Sequence, residues 1–574
     1  MRSNYIDNGK IFLGKPWSPI PHDTFREFSI NGKRTNYESL SFALRRQMVS
    51  MVMAEIMQDS AVFLNDIIRG LQYFVSEAWW GIPAHYPKST PDTNLQEVDL
   101  FNAETANLLV WTCYMLEDRI YTIDKNICST IRKEVKRRIL IPARTGDYSW
   151  KKYSWNHNTW TCANWLSCIL FCEEDRKKQI DDIYQVLQCL DIFIDGYPED
   201  GGCNEGVTYW DRAMGSLFEC MQLLSLSSNG KIVLPQTDKI QKMASYIYNM
   251  YIGNGCYVNF AASNYKALPC INILYPLGLA LNNHILTQHA AFIAKQYDYT
   301  SQPCKLFNQT GNYPAISREL CFLKLMPSFA KTEAKEAQTP SIWMHNTEIF
   351  VSHINDGLFI AAKGGHNDES HNHNDIGNFI IFANGEPLLI DLGNDTYTAK
   401  TFSSERYTLM NTRSAYHNVP IINEQEQQAG KNFKSKDANY HSTSNEQLLT
   451  IDIAQAYPSI AHVKKWKRSF KLKSRQITIT EDYTLGKANK TSQLVLMTHL
   501  TPKQKAPGIL TFSTPLGDYQ LSYPAKLLDL LIEPIDISET SMKSSWGNQV
   551  NRILFTIKSS KKRNCISYSI KKTN

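Results

Sequence analysis

Apolar residues recur at helical spacing through the first half of the chain, up to about Met326. Ile183, Val186, Leu187, Leu190 and Ile194 fall at i, i+3, i+4, i+7 and i+11, one face of a helix. The same period runs through 40–57, 61–75, 103–116 and 214–224. Aromatic-rich loops interrupt these segments at 79–86, 153–165 and 197–210. Paired helices with such loops at one end predict an α/α toroid or solenoid.

The pattern changes after a polar stretch, 326–344, which carries several Lys and Glu residues and two prolines and reads as a linker. Beyond it the period is two. Segments 348–353 and 358–363 flank Asn355-Asp356-Gly357, and 379–383 and 387–391 flank Asn384-Gly385, a type I′ hairpin signal. Segment 476–483 alternates strictly, and 552–558 reads as a further strand. Short strands separated by turn signals predict an antiparallel β-sandwich. The expected organisation is therefore multi-domain α+β, with a helical domain over 1–325, a linker over 326–344 and a β-sandwich over 345–574.

Composition narrows the class only a little. The 574 residues are 43% hydrophobic and 20% charged, with net charge +6, as expected of a globular protein with a large core and not of a basic nucleic-acid protein. No run of about 18 apolar residues marks a membrane span. The start, Met1-Arg2-Ser3-Asn4-Tyr5, lacks the apolar region of a signal peptide, so either the chain is cytoplasmic or a leader has been removed. The 13 cysteines include no CxxC pair, which argues against a zinc ribbon; several lie in apolar helical patterns, where buried free thiols are expected.

Three segments carry candidate chemistry. Within 366–375 stand three imidazoles and three carboxylates, leading straight into an apolar strand. In an extended backbone i and i+2 share a side, so His371 and His373 are expected to face one cavity, one holding a metal and the other reaching a substrate. The segment 153–165 interleaves amides with aromatics, among them Trp155, Asn156, His157, Asn158 and Trp160, a pattern that suits a sugar: rings stack on pyranose faces and amides bond hydroxyls or a carboxylate. In Asp200-Gly201-Gly202-Cys203-Asn204-Glu205-Gly206-Val207-Thr208-Tyr209-Trp210 the glycines free the backbone, and Glu205 and Tyr209 can project together from the start of the next helix. Trp79 and Trp80 fit core packing better than a cleft wall, and His85 is a candidate for the far end of the cleft.

Helices first, these two loops next, then the run His371-Asn372-His373-Asn374-Asp375-Ile376-Gly377-Asn378-Phe379 entering a sandwich: the chain resembles the heparinase II/III-like polysaccharide lyases over nearly its whole length. The resemblance implies an α/α toroid followed by an antiparallel sandwich, with substrate in the cleft between them. It implies β-elimination at the bond to O4 of a uronic acid, leaving a 4,5-unsaturated uronyl end. That chemistry needs a neutralised C5 carboxylate, a base for the C5 proton and an acid for the departing O4.

The resemblance also distributes roles. Asn156 would neutralise the carboxylate, with Asn158 as the alternative if the alignment slips by two. His157 would assist as base or second neutraliser. Tyr209 would be the proton donor and, for one substrate epimer, also the base, and His371 the catalytic histidine from the sandwich side. His373, Asp391 and His417 would hold a mainly structural Zn²⁺. Glu205, Trp160, Tyr407 and Arg413 would contact the anionic polysaccharide. A periplasmic location is implied. Where relatives carry Asn-Gly after a His-Asn-Val-Pro run, this chain has Asn423-Glu424. A straight hairpin at Asn384-Gly385 would set Asp391 opposite Asn378, so the chain must bend near 375–377 for the three metal ligands to meet. Two other readings use the same residues: a zinc-dependent hydrolase with Glu369 as base, and a glycan-binding protein without activity.

Overall fold

The computed structural model describes residues 1–90, 97–304, 315–339, 341–354, 357–488 and 490–573. Long helices fill the N-terminal part, among them Thr35–Gln58, Leu100–Tyr121, Asn156–Cys172, Arg176–Gly196 and Ser216–Ser227. Apart from Asn156–Cys172, each covers one of the expected periodic segments; that helix takes up most of the stretch 153–165 expected as an aromatic-rich loop, and buries Trp160 and Trp165. In Arg176–Gly196, Val186, Cys189, Leu190 and Phe193 are buried, while Ile183, Leu187 and Ile194 lie half-buried at the edge of that face. Segment 61–75 begins its helix later, at Leu64, because Asp59 and Ala61 take left-handed backbone. Among the described residues no helix is long and apolar enough to cross a membrane. All thirteen cysteines are free thiols.

The connection is shorter than 326–344. Met326–Phe329 is a helical turn that buries Phe329, and Ile342–Met344 is already the first strand of the sandwich, paired with Ile349–His353. Pro340, Asn355 and Asp356 lie outside the described residues.

Among the described residues three larger antiparallel sheets follow, together with a two-stranded pair of His366–Asn367 and Gly430–Lys434. A five-stranded sheet runs in sequence order from Ile342–Met344 to Glu386–Leu389. An eight-stranded sheet includes Glu446–Asp452, Val463–Lys473, Gln476–Leu485, Arg563–Lys572 and Gly517–Ser522 as successive neighbours. A four-stranded sheet joins Leu528–Asp536, Gln549–Ile557, Gln493–Thr498 and Pro420–Ile421. The two larger sheets bury different patterns. In Gln476–Leu485 every second residue is buried, as in a sheet with one wet face. In Leu358–Lys363 and Phe379–Ala383 every residue is buried. The five-stranded sheet has a core on each side. Phe350, Ile360, Phe379 and Ile381 pack with Trp466, Phe470 and Ile479 of the eight-stranded sheet. Val351, Phe359, Ala361, Ile380 and Phe382 join the core of the helical domain. Docking of the two domains is thus an apolar burial event, which fixes loops from both sides against one another.

The hairpin at Asn384-Gly385 is type I′, with φ of 52° and 81°. Its register is not straight: Phe382 pairs with Pro387, but Ile381 pairs with Leu389. Ile390 then leaves for the neighbouring sheet, donating to the Met497 carbonyl at 2.9 Å. The bend at 375–377 is present. Gly377 has φ 84°, and a Cβ there would meet Ile453 at 2.8 Å. The Asn423-Glu424 turn keeps positive φ at both positions (48° and 63°), so Glu424 occupies backbone where glycine is favoured.

Candidate active site between toroid and sandwich

Two latches hold the interdomain cleft. On one side the Asp200 carboxylate accepts from the backbone N–H groups of Asn346 and Thr347 at 2.6 and 2.8 Å. Gly201 has φ 74°, and a Cβ would strike the Lys242 backbone at 2.3 Å, so glycine is required where this loop passes beneath the sandwich. On the other side the Ala399 N–H donates to the Gly32 carbonyl at 3.0 Å, and Lys33 bridges Thr398.

Between the latches, residues from three loops converge. Tyr209 lies one turn after Gly206 in the short helix Val207–Trp210. Its ring stacks on His371 with centroids 4.5 Å apart. Its hydroxyl is 2.8 Å from that of Tyr397, which is 3.1 Å from His371 Nδ1. Beside them Asn156, at the start of Asn156–Cys172, donates Nδ2 to Glu205 Oε1 at 2.7 Å. Ser370 donates to the same oxygen at 2.9 Å, and His371 Nε2 lies 3.8 Å from it. Among the described residues the buried Asn156 Oδ1 has no hydrogen-bond partner.

The electrostatics follow from burial. Desolvation, with Arg406 and His157 nearby, pushes His371 down to about 3, so it is a neutral imidazole at neutral pH. Burial, aided by Tyr397 and Glu205, holds the Tyr209 phenol well above its ordinary range and thus protonated. Tyr397 rises to about 12 through burial, tempered by its bond to Tyr209 and by Arg406 and Arg34. Burial raises the Glu205 carboxyl, against the lowering effect of its bonds from Asn156 and Ser370. His157 falls to about 4 through burial and the neighbouring His85.

Most of the expected residues therefore meet. Asn158 does not: its amide donates to the carbonyls of Cys189 and Tyr153 inside the helical domain, at 2.9 and 3.3 Å. Trp160 is buried under the Arg212 guanidinium at 4.0 Å, and both line a cavity of ≈ 610 Å³ that reaches Tyr209 and Tyr397. Tyr407 accepts from Asn372 Nδ2 at 3.2 Å, next to His371. Arg413 turns away from the cluster: it pairs with Glu426 and lies over Tyr416. The arginine beside the site is Arg406, which donates to the Asn372 and Thr401 carbonyls at 3.0 and 2.8 Å. Trp79 and Trp80 are core residues, and His85 packs on His157. The sequence reading missed Tyr397 and Arg406, and it named the aromatics of 153–165 without the stacking of Tyr153 on Trp155. The last two rings are stacked at 4.7 Å and about half exposed, beside Asn156. The aromatic spacing of 153–155 was the available signal for that pair.

His371 and His373 do not share a cavity as extended backbone would require. His371 has φ 56°, so the i, i+2 rule fails there, and the two rings take separate surroundings. His373, Asp391 and His417 are buried, and each offers a ligand atom within 4.8 Å of the others. Their chemistry suits a cation. Among the described residues His373 Nδ1 has no hydrogen-bond partner, and burial and His417 keep its ring neutral. The Asn411 carbonyl at 2.9 Å takes His417 Nε2–H, which points Nδ1 toward Asp391 at 3.1 Å, the outer-shell arrangement typical of a ligating histidine. Asn378 steadies Asp391 at 2.6 Å. Glu369, the base that a hydrolase reading needs, turns instead to buried Lys363 at 3.7 Å, which also holds Asp375 at 2.9 Å.

The comparisons agree with this architecture. Residues 338–541 match the family model described as Heparinase II/III-like, C-terminal. Among solved structures the chain is similar to a mutant of heparan sulfate lyase HepC from Pedobacter heparinus, at TM-score 0.62 and 11% identity, covering 100% of this chain and 88% of that one. It is similar to a heparinase III at TM-score 0.61 and 14% identity, covering 96% and 83%. A mutant chondroitin AC lyase from Streptomyces coelicolor A3 aligns at TM-score 0.52 and 10% identity, covering 100% and 82%. No curated protein matches. The chain thus has the toroid-plus-sandwich fold of polysaccharide lyases. Its residues 338–541 are similar to the C-terminal domain of heparinase II/III-like proteins.

Proposed function

We infer that the protein is a polysaccharide lyase that cleaves a uronate-containing, glycosaminoglycan-like or alginate-like polymer by β-elimination. The observation that carries this reading is the hydrogen-bonded chain Tyr209–Tyr397–His371, which crosses the domain interface beside the Asn156–Glu205 pair. A neutral imidazole and a protonated phenol are the base and acid that such an elimination needs at neutral pH. Asn156 has a second amide hydrogen to give the C5 carboxylate. His157 and Trp160 stand on the same helix, Trp160 lining the cavity and His157 packed on His85. A panel of uronate polysaccharides, followed by the ultraviolet absorbance of the unsaturated uronyl product, tests the reading; new reducing ends without that absorbance would indicate hydrolysis instead. A periplasmic site of action accompanies it.

Asn156→Ala is expected to slow turnover by roughly 10²-fold or more, as loss of a donor to developing negative charge does. Asn158→Ala should instead lower thermal stability, because its amide ties the Cys189 and Tyr153 carbonyls. Comparing kcat and melting temperature of the two variants checks this; the reverse pattern would move the neutralising role to Asn158.

His373, Asp391 and His417 would hold Zn²⁺, the ion that two imidazoles and a carboxylate suit. Bound there it cross-links the loop that carries His371 and takes no part in the proton transfers. Elemental analysis of protein purified without added metal should find about one zinc per chain. His417→Ala should lower both zinc content and melting temperature, and an unchanged content in that variant would remove the assignment.

A further inference from the structure

The outer face of the eight-stranded sheet lies on the far side of the sandwich from the cleft. It holds a groove of ≈ 1010 Å³ whose charged lining is wholly cationic: Lys471, Lys473, Arg475, Lys571 and Lys572. All five are exposed. Lys471 pairs with Glu446 at 2.9 Å. Among the described residues Lys473, Lys571 and Lys572 have no carboxylate partner.

The pairing register orders the polar groups into rows that cross the strands. One row runs Lys473, Gln476, Lys571, Gln520, cation and amide in alternation. The next runs Lys471, Thr478, Ser569, Ser522, one cation followed by three hydroxyls. Gln476 donates to Thr478 at 3.1 Å and Gln520 to Ser522 at 2.8 Å, so the two rows are tied together. Strands lie about 4.8 Å apart, which places Lys473 and Lys571 roughly 10 Å from one another with an amide between them. A flat face of that kind offers a charge at intervals and hydrogen-bonding groups in the gaps. A folded protein partner would need an apolar centre, which this groove lacks. A chain of sugars with a carboxylate or sulfate recurring along it meets both features.

We propose that this groove is a second binding site for an extended anionic polysaccharide, the class of polymer that the cleft cleaves. The proposal rests on the lyase reading for the identity of the polymer and on the groove alone for its existence. Binding at two sites on one molecule holds a long chain near the cleft by effective concentration, an advantage that a short oligosaccharide cannot use.

The test compares wild-type protein with a variant carrying Lys473→Ala, Arg475→Ala, Lys571→Ala and Lys572→Ala. A control of equal charge change carries Lys10→Ala, Lys125→Ala, Lys177→Ala and Lys231→Ala on the helical domain. Native gels containing heparin, alginate or neutral dextran read binding against a polymer-free gel. Wild type and control should be retarded by the two anionic polymers and not by dextran, less so with added salt. The groove variant should lose most of the retardation. On long polymer its KM should rise roughly ten-fold, while its rate on a short oligosaccharide stays unchanged. A groove variant retarded as strongly as wild type, or equal retardation by dextran, overturns the proposal. Loss of retardation in the groove variant, with no unsaturated product from wild type on any polymer, supports the groove and rejects the lyase reading.

Discussion

Replacing Tyr209 by Phe is expected to lower kcat by roughly 10²–10⁴-fold, the range for a lost general acid or base, while KM stays near the wild-type value. The substitution deletes one oxygen. The ring keeps its stacking on His371 at 4.5 Å, and the turn that begins at Gly206 is untouched. What disappears is the phenol hydrogen that can reach the departing O4, along with one end of the chain through Tyr397 to His371. Burial keeps that phenol protonated in the resting protein, so the hydrogen is present when substrate arrives. His371→Ala removes the proposed base and should cost about as much. Because the groups act on one proton inventory, the double variant should be little slower than either single one. The measurement is initial rate of absorbance gain with saturating and limiting polymer. Near-normal turnover in Tyr209→Phe would end this division of roles, and His157 would be the group to replace next.

The division into helices and strands was legible because each part has one dominant period. The five-stranded sheet shows why the rest was harder. Leu358–Lys363 and Phe379–Ala383, read at period two, are buried at every residue, and nothing local says that one of their faces meets the helical domain. His373 and His371 stood out by residue type and crowding; their separation into two environments depended on one left-handed residue, which composition does not reveal. Tyr397 gave no signal. It sits in the aperiodic stretch Gly393-Asn394-Asp395-Thr396-Tyr397, and its partner Tyr209 is 188 positions away. Between Arg406 and Arg413, residue type could not choose; the chain of short 3₁₀ turns around them decides which faces the site.

Arg468, which the sequence reading did not single out, has a large expected consequence. In Val463–Lys473 the inward positions are Trp466, Arg468, Phe470 and Leu472, so a charge occupies an apolar slot in a strict alternation. It is fully buried, as is Glu481, which its Nε meets at 2.9 Å. Trp466 and Tyr568 also donate to Glu481, at 2.8 and 3.2 Å. The other end of the guanidinium donates to the carbonyls of Gly377 and Asn418 at 2.8 and 2.6 Å. Gly377 is at the bend that brings His373 toward Asp391 and His417, and Asn418 follows His417. Arg468→Leu would leave Glu481 without its counter-charge and two carbonyls without donors, which should destabilise the sandwich by about 3–5 kcal/mol. Adding Glu481→Leu should restore much of that stability, since an apolar pair of suitable volume often replaces a buried ion pair without loss. Activity and zinc content should not recover with it, because the Gly377 and Asn418 carbonyls remain unheld. Denaturant midpoint, turnover and metal analysis on the single and double variants separate the two effects. Recovery of all three in the double variant would show that Arg468 serves only to neutralise Glu481 and does not position the site.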